Sequence, residues 1–127
     1  MHIILVVDDE PTIRALVRAA LEPAGAHVLE ASDGVSALQA IDARRPDLVL
    51  LDIALPRMSG LEVCRRIKAN RDTAAIPVLL LTGLVQQIDR GAADDVGAQG
   101  VIAKPFSPAK LTSQVAAMLR RPTLARS

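Results

Sequence analysis

The chain has 127 residues, half of them apolar and 23% charged, which suits one globular domain and excludes a disordered segment. Fifteen basic side chains against fourteen acidic ones leave a formal charge of +1, which argues against a binder working by blanket neutralisation of nucleic-acid phosphates. A single cysteine rules out an internal disulfide, no apolar run approaches the ~20 residues of a membrane span, and the first residues lack a signal-peptide pattern, so a cytoplasmic domain is expected.

The first apolar run, Ile3 to Val7, is unalternating and rich in β-branched residues, as expected of a strand buried on both faces. Pro11 opens a helix whose stripe is Ile13, Leu16, Val17, Ala20 and Leu21, and Pro23 with Gly25 ends it. The unit then repeats: a strand at His27 to Glu30, a helix marked by Val35, Leu38 and Ile41, and a strand from Asp47 to Asp52. A turn holding Pro56 and Gly60 leads to a third helix with Leu61, Cys64, Ile67 and Lys68. Pro77 precedes the strand Val78 to Thr82. Between Gly83 and Gly97 the stripe Leu84, Val85, Ile88 and Ala92 is thin and interrupted by Gly91, which predicts the least stable helix. A short strand, Val101 to Ala103, and a helix carrying Leu111, Val115, Met118 and Leu119 complete the series. A domain over 1–121 is expected, with 122–127 as a flexible tail or the start of a linker.

Five strands alternating with five helices predict an α/β domain with a parallel sheet covered on both faces. Ligands of such sheets sit beyond the carboxyl ends of the strands, so the residues there carry the functional reading. After the first strand come Asp8, Asp9 and Glu10; the third ends in Asp52, the fourth in Thr82, and the fifth runs into Lys104-Pro105-Phe106. Carboxylates gathered on one rim repel unless a cation neutralises them, and an oxygen-only cluster suits Mg²⁺. A carboxylate beside such an ion can attack an activated phosphoryl group, with Lys104 and Thr82 as donors to its oxygens. A dinucleotide fold would place a glycine-rich turn after the first strand, where two aspartates stand instead.

These motifs, in this order, resemble the response-regulator receiver domain of bacterial two-component signalling over essentially the whole chain. The residues carrying the resemblance are Asp8-Asp9, Asp52 to Pro56 with Met58 and Gly60, Thr82, and Lys104-Pro105-Phe106. The resemblance implies a doubly wound (βα)5 sandwich of three layers with the flavodoxin-like strand order 2-1-3-4-5. It implies Asp52 as phosphoacceptor from a sensor histidine kinase or phosphotransfer protein, and Mg²⁺ held by Asp9, Asp52 and the Ala54 carbonyl, with Asp8 acting through water. Lys104 would pair with the phosphoryl group, Thr82 would move to hydrogen-bond it, and the Lys104-Pro105 peptide would be cis. The fourth helix, fifth strand and fifth helix would form the face for a downstream protein, an output domain or a homodimer; here it carries Arg90, Asp94, Asp95 and Lys110. The reading is a signalling domain rather than a turnover enzyme, either free-standing or part of a larger regulator.

Two departures bear on this. Many receivers carry Tyr or Phe two or three residues before the lysine, where this chain has Val101 and Ile102. Ala54 and Leu84 offer no acid or amide to orient an attacking water, which predicts slow self-hydrolysis of a phosphorylated form. Two other functions are weighed against the switch: a scaffold that binds partners without phosphorylation, and an aspartate-nucleophile phosphatase, which Ala54 disfavours because such enzymes usually place a second acid there. Structural readings are simpler elsewhere: Cys64 as a core residue, His2 and His27 as surface residues, and Phe106 packed on the sheet.

Overall fold

The computed structural model describes residues 2–83 and 90–120, so the expectations on Leu84, Val85 and Ile88 and on the 122–127 tail lie outside the described residues. The sheet has five strands in the order β2-β1-β3-β4-β5, formed by β1 (Ile3–Val7), β2 (His27–Ala31), β3 (Leu48–Asp52), β4 (Val78–Thr82) and β5 (Gly100–Ala103). Every pairing is parallel. The helices are α1 (Pro11–Leu21), α2 (Gly34–Arg44), α3 (Gly60–Ala69), α4 (Arg90–Asp95) and α5 (Pro108–Arg120), with a 3-10 turn at Glu22–Ala24.

Strands β3 and β4 are buried at all five positions, the state an unalternating Leu/Val run predicts. Their side chains alternate between two cores. Ile4, Val6, Leu48, Leu50, Leu79 and Leu81 face α1 and α5, where they meet Val17, Leu21, Leu111, Val115 and the lone aromatic, Phe106. Leu5, Val7, Val49, Leu51, Val78 and Leu80 face α2, α3 and α4 and meet Ala37, Ile41, Val63, Cys64, Ile67, Ala93 and Val96. Burying each Leu or Ile contributes roughly 1.5–3 kcal/mol, so two aliphatic layers hold this sheet with a single ring. Among the described residues no helix is long and apolar enough to cross a membrane.

Helix starts follow local chemistry. Pro11 occupies the first turn of α1, where a missing N–H costs nothing. The Asp33 carboxylate accepts the Ser36 N–H at 2.8 Å to cap α2, and the Ser59 hydroxyl accepts the Glu62 N–H at 3.2 Å to cap α3. Three strand limits differ from the sequence reading. β3 begins at Leu48 because Asp47 turns its carboxylate onto the Ile3 N–H at 2.7 Å, and β2 runs on to Ala31 because its register with β1 continues to Val7. β5 begins one residue early, at Gly100, which pairs with Leu79.

Gly60 brings the turn after β3 back against the sheet. Its N–H donates to the Ile53 carbonyl at 2.9 Å, and a Cβ at this position would lie 2.1 Å from the Asp52 carbonyl oxygen. Gly83 lies at the opposite extreme, since a Cβ there would meet nothing within 4 Å among the described residues. Gly60→Ala is therefore expected to lower stability by about 1–3 kcal/mol or more in urea unfolding, whereas Gly83→Ala stays neutral or gains up to about 1 kcal/mol. Equal midpoints for the two variants would contradict this packing.

Candidate functional site

The parallel register sets four strand ends side by side. Val7 pairs with Leu51, Asp52 with Leu81, and Thr82 with Ala103, which puts Asp8, Asp52, Thr82 and Lys104 along one rim. The hydrogen-bond ladder extends one residue beyond the strands: Asp8 N–H to Ala31 O at 3.1 Å, Ile53 N–H to Leu81 O at 3.0 Å, and Lys104 N–H to Thr82 O at 2.8 Å. Their backbones are thereby fixed by the sheet. The chain order reverses between β1 and β3, and Asp8 and Asp52 flank that crevice.

Side chains then converge on one ammonium. Lys104 Nζ lies 2.7 Å from Asp8 Oδ2, 3.4 Å from Asp52 Oδ2 and 3.6 Å from Glu10 Oε1. Asp8, Asp52 and Thr82 are buried, whereas Asp9 and Glu10 are exposed at the rim. Asp8 Oδ1 accepts the Glu10 N–H at 2.9 Å, and Asp52 Oδ1 accepts the Ala54 N–H at 3.1 Å. Arg14 braces the other side, donating to the Asp8 carbonyl at 2.7 Å and to Glu30 Oε1 at 2.8 Å. The Lys104–Pro105 peptide is cis.

Burial pushes the Asp52 carboxyl above its ordinary pKa; the Ala54 N–H pulls it down, the Asp8 carboxylate adds to the rise, and Lys104 offsets part of it. Burial alone would depress the Lys104 ammonium, but its contacts with Asp8 and Asp52 outweigh that and raise it. Lys104 is expected from sequence on the same rim as the carboxylates, and the structure sets its ammonium between Asp8 and Asp52, leaving two buried carboxylates against one ammonium.

The donor set fits a hard divalent ion. Among the described residues, Asp8 Oδ2 is a buried oxygen with no hydrogen-bond partner beyond the Lys104 ion pair. One carboxylate oxygen from each of Asp8, Asp9 and Glu10 lies within 4.8 Å of the others, and every donor is oxygen, the preference of Mg²⁺. Of the residues singled out from sequence, the structure gathers Asp8, Asp52 and Lys104 into direct contact and sets Asp9 beside Asp8; Thr82 stands at the adjacent strand end, and Ala54 touches Asp52 through its N–H. Glu10, which follows the acidic pair in the sequence and is given no role there, joins the site through its contact with Lys104. Cys64 is buried, donates to the Val96 carbonyl at 3.3 Å and has its thiol pKa pushed up by burial, which makes it inert. On the face expected to meet partners, Asp94, Asp95 and Lys110 are exposed, whereas the Arg90 side chain lies outside the described residues.

Comparison with known proteins agrees with this architecture. Residues 4–116 match the family model of the response regulator receiver domain. The chain is 44% identical over 118 residues to the phosphate regulon transcriptional regulatory protein PhoB of Pseudomonas aeruginosa, covering 93% of this chain and 52% of that protein. It spans about half the length of the curated relatives it matches. The chemotaxis response regulator CheY4 of Vibrio cholerae superposes with a TM-score of 0.89 at 32% identity, over 94% of this chain and 99% of that one. The receiver domain of the Pseudomonas aeruginosa sensor histidine kinase PA1611, solved with a magnesium ion in its active-site cleft, superposes with a TM-score of 0.87 at 29% identity, over 94% of this chain and 98% of that one. The fold and rim define a receiver-type signalling domain. This chain belongs to the response regulator receiver domain family of two-component systems.

The upward shift at Asp52 has a consequence for stability. A carboxyl whose folded pKa lies above its unfolded value costs stability once it ionises, and the cost is absent below the unfolded carboxylate range. In chelator at neutral pH, Asp52→Asn is expected to melt above the wild type, with the gap closing as pH falls toward 4. Circular dichroism reads this, since the chain has no Trp or Tyr. A lower melting point for the variant at neutral pH would contradict the assignment.

Proposed function

We propose that the protein is a phosphoacceptor switch in which Asp52 takes a phosphoryl group from a phosphohistidine of a histidine kinase or phosphotransfer protein. The single observation carrying this reading is that Lys104 Nζ lies 3.4 Å from Asp52 Oδ2 and 2.7 Å from Asp8 Oδ2 at the carboxyl rim of a parallel sheet. In the transfer an Asp52 carboxylate oxygen forms the new bond to phosphorus, the phosphorus–nitrogen bond breaks, and its electron pair returns to the imidazole. The Ala54 N–H holds the other Asp52 oxygen, which orients the attacking one toward the rim. Lys104 and Thr82 are the donors for the phosphoryl oxygens.

Asp9, Asp52 and the Ala54 carbonyl, with Asp8 acting through water, would hold Mg²⁺, which would supply positive charge between the acceptor and the incoming phosphoryl group. Modification of Asp52 then alters the outer face of α4, β5 and α5, where a downstream protein, an output domain or a second copy docks. Work of this kind belongs in the cytoplasm, in a signalling domain without turnover of its own. The curated relatives are about twice as long as this chain, and the name of the Pseudomonas relative describes a transcriptional regulator, so an output domain that binds DNA is one route for the signal.

Incubation with acetyl phosphate and Mg²⁺ is expected to add one phosphoryl mass to the wild type and none to Asp52→Asn, read by intact-protein mass spectrometry. No gain in the wild type would leave a phosphorylation-independent scaffold. The Ala54 methyl is exposed beside Asp52 and carries no group to orient water, so the acyl phosphate is expected to outlast the seconds scale once donor is removed. Complete loss within seconds, followed by the same mass measurement, would contradict that role for Ala54.

A further inference from the structure

Three carboxylates face the Lys104 ammonium, and they differ in how freely they can leave it. Asp8 and Asp52 are buried, and their backbones are fixed in the sheet ladder. Glu10 stands at the rim, with 59% of its side chain exposed, so withdrawing it from Lys104 carries little desolvation cost. Its position gives it an obvious alternative employment that it does not take: it is the N-cap residue of α1, yet its carboxylate makes no capping hydrogen bond. The Glu10 N–H is instead bonded to Asp8 Oδ1, which turns the residue back over the site and leaves Oε1 3.6 Å from Lys104 Nζ.

We propose that Glu10 is a positioning residue for Lys104, a displaceable carboxylate that occupies the ammonium in the resting protein and gives way to the phosphoryl group. The inference rests on the reading of Asp52 as phosphoacceptor. A phosphoryl group on Asp52 needs the ammonium that Glu10 shares, so the two anions compete for one cation. Losing the Glu10 contact frees Lys104 for the incoming group. It also removes negative charge from the path of an anionic donor, and the test must separate these two effects.

Glu10→Gln removes the charge, whereas Glu10→Asp keeps it on a side chain one methylene shorter, which withdraws the oxygen from Lys104. Phosphorylation by acetyl phosphate at saturating Mg²⁺ is expected to run about two- to five-fold faster in both variants, the range a partly exposed ion pair supports. A wild-type rate in Glu10→Asp would assign the effect to charge at the mouth and overturn the positioning role. An unchanged or slower rate in Glu10→Gln, or a several-fold rise in the Mg²⁺ concentration needed for half-maximal rate, would overturn it in favour of no role or a role toward the cation. A second readout does not depend on phosphorylation. The chain has only Lys68, Lys104 and Lys110, so competitive acetylation in chelator, followed by peptide mass spectrometry with exposed Lys110 as internal reference, reports Lys104 alone. Labelling of Lys104 is expected to rise in both variants, and unchanged labelling would overturn the contact. If the wild type takes up no phosphoryl group while labelling still rises, the acceptor reading has failed and the Glu10–Lys104 contact has not.

Discussion

One ammonium held against two buried carboxylates is the interaction on which the site depends. Burial withdraws water from Asp8 and Asp52, and Lys104 supplies a single positive charge where two negative ones stand. The pocket is therefore short of positive charge by design of its neighbours rather than by any one residue. Burial first, with the Asp8 charge adding to it, keeps the Asp52 carboxyl above its ordinary pKa, and the shortage of positive charge makes the rim receptive to a divalent ion. Buried ion pairs of this kind are weak contributors to stability, since well-packed apolar replacements are often neutral or stabilising.

The surrounding architecture fixes these charged groups at the level of the backbone. β1 is buried from Ile4 onward and β3 and β4 throughout, and the ladder continues past the strand ends through the N–H groups of Asp8, Ile53 and Lys104. Aliphatic layers on both faces leave these strands little freedom to slide, because a one-residue slip would exchange the two cores. Gly60 completes the restraint behind Asp52, where the returning turn comes too near the strand for any side chain. The strands thus hold the backbones of Asp8 and Asp52, the two buried carboxylates, side by side.

Much of this was legible in the sequence because the buried strands and amphipathic helices each impose their own period. The stripe Ile13, Leu16, Val17, Ala20 and Leu21 packs on the α1–α5 core as its spacing predicts, and the unalternating runs of β1, β3 and β4 are the central strands. Strand order is not encoded in periodicity, since any permutation of five buried runs reads alike; it is implied only by the family resemblance that the strand-end motifs carry. The contact of Glu10 with Lys104 was not legible for a different reason. An acidic residue before Pro11 reads equally well as a helix cap, and only the direction in which its backbone turns, fixed by the Asp8 Oδ1 bond, decides where the carboxylate goes. The limits of β2, β3 and β5 were missed by one residue each, because Ala31, Asp47 and Gly100 are governed by pairing across the sheet and not by their own propensities.

The same geometry bears on how a change at Asp52 could leave the site. Many receivers place an aromatic ring two or three residues before the lysine, and here those positions are Val101, half-buried against the α2–α3–α4 core, and Ile102, fully buried against the α1–α5 core. Both are β-branched and stiff at χ1, so neither offers a large side chain that turns between two positions. What joins the site to β5 directly is backbone: the Lys104 N–H bonded to the Thr82 carbonyl at 2.8 Å, with the Lys104 side chain reaching back to β1 and β3. Four of the five strands thus meet in one residue. That rung joins the residue carrying the ammonium to the ends of β4 and β5, and the packing on either side of β5 at Val101 and Ile102 is aliphatic, with no ring to swing.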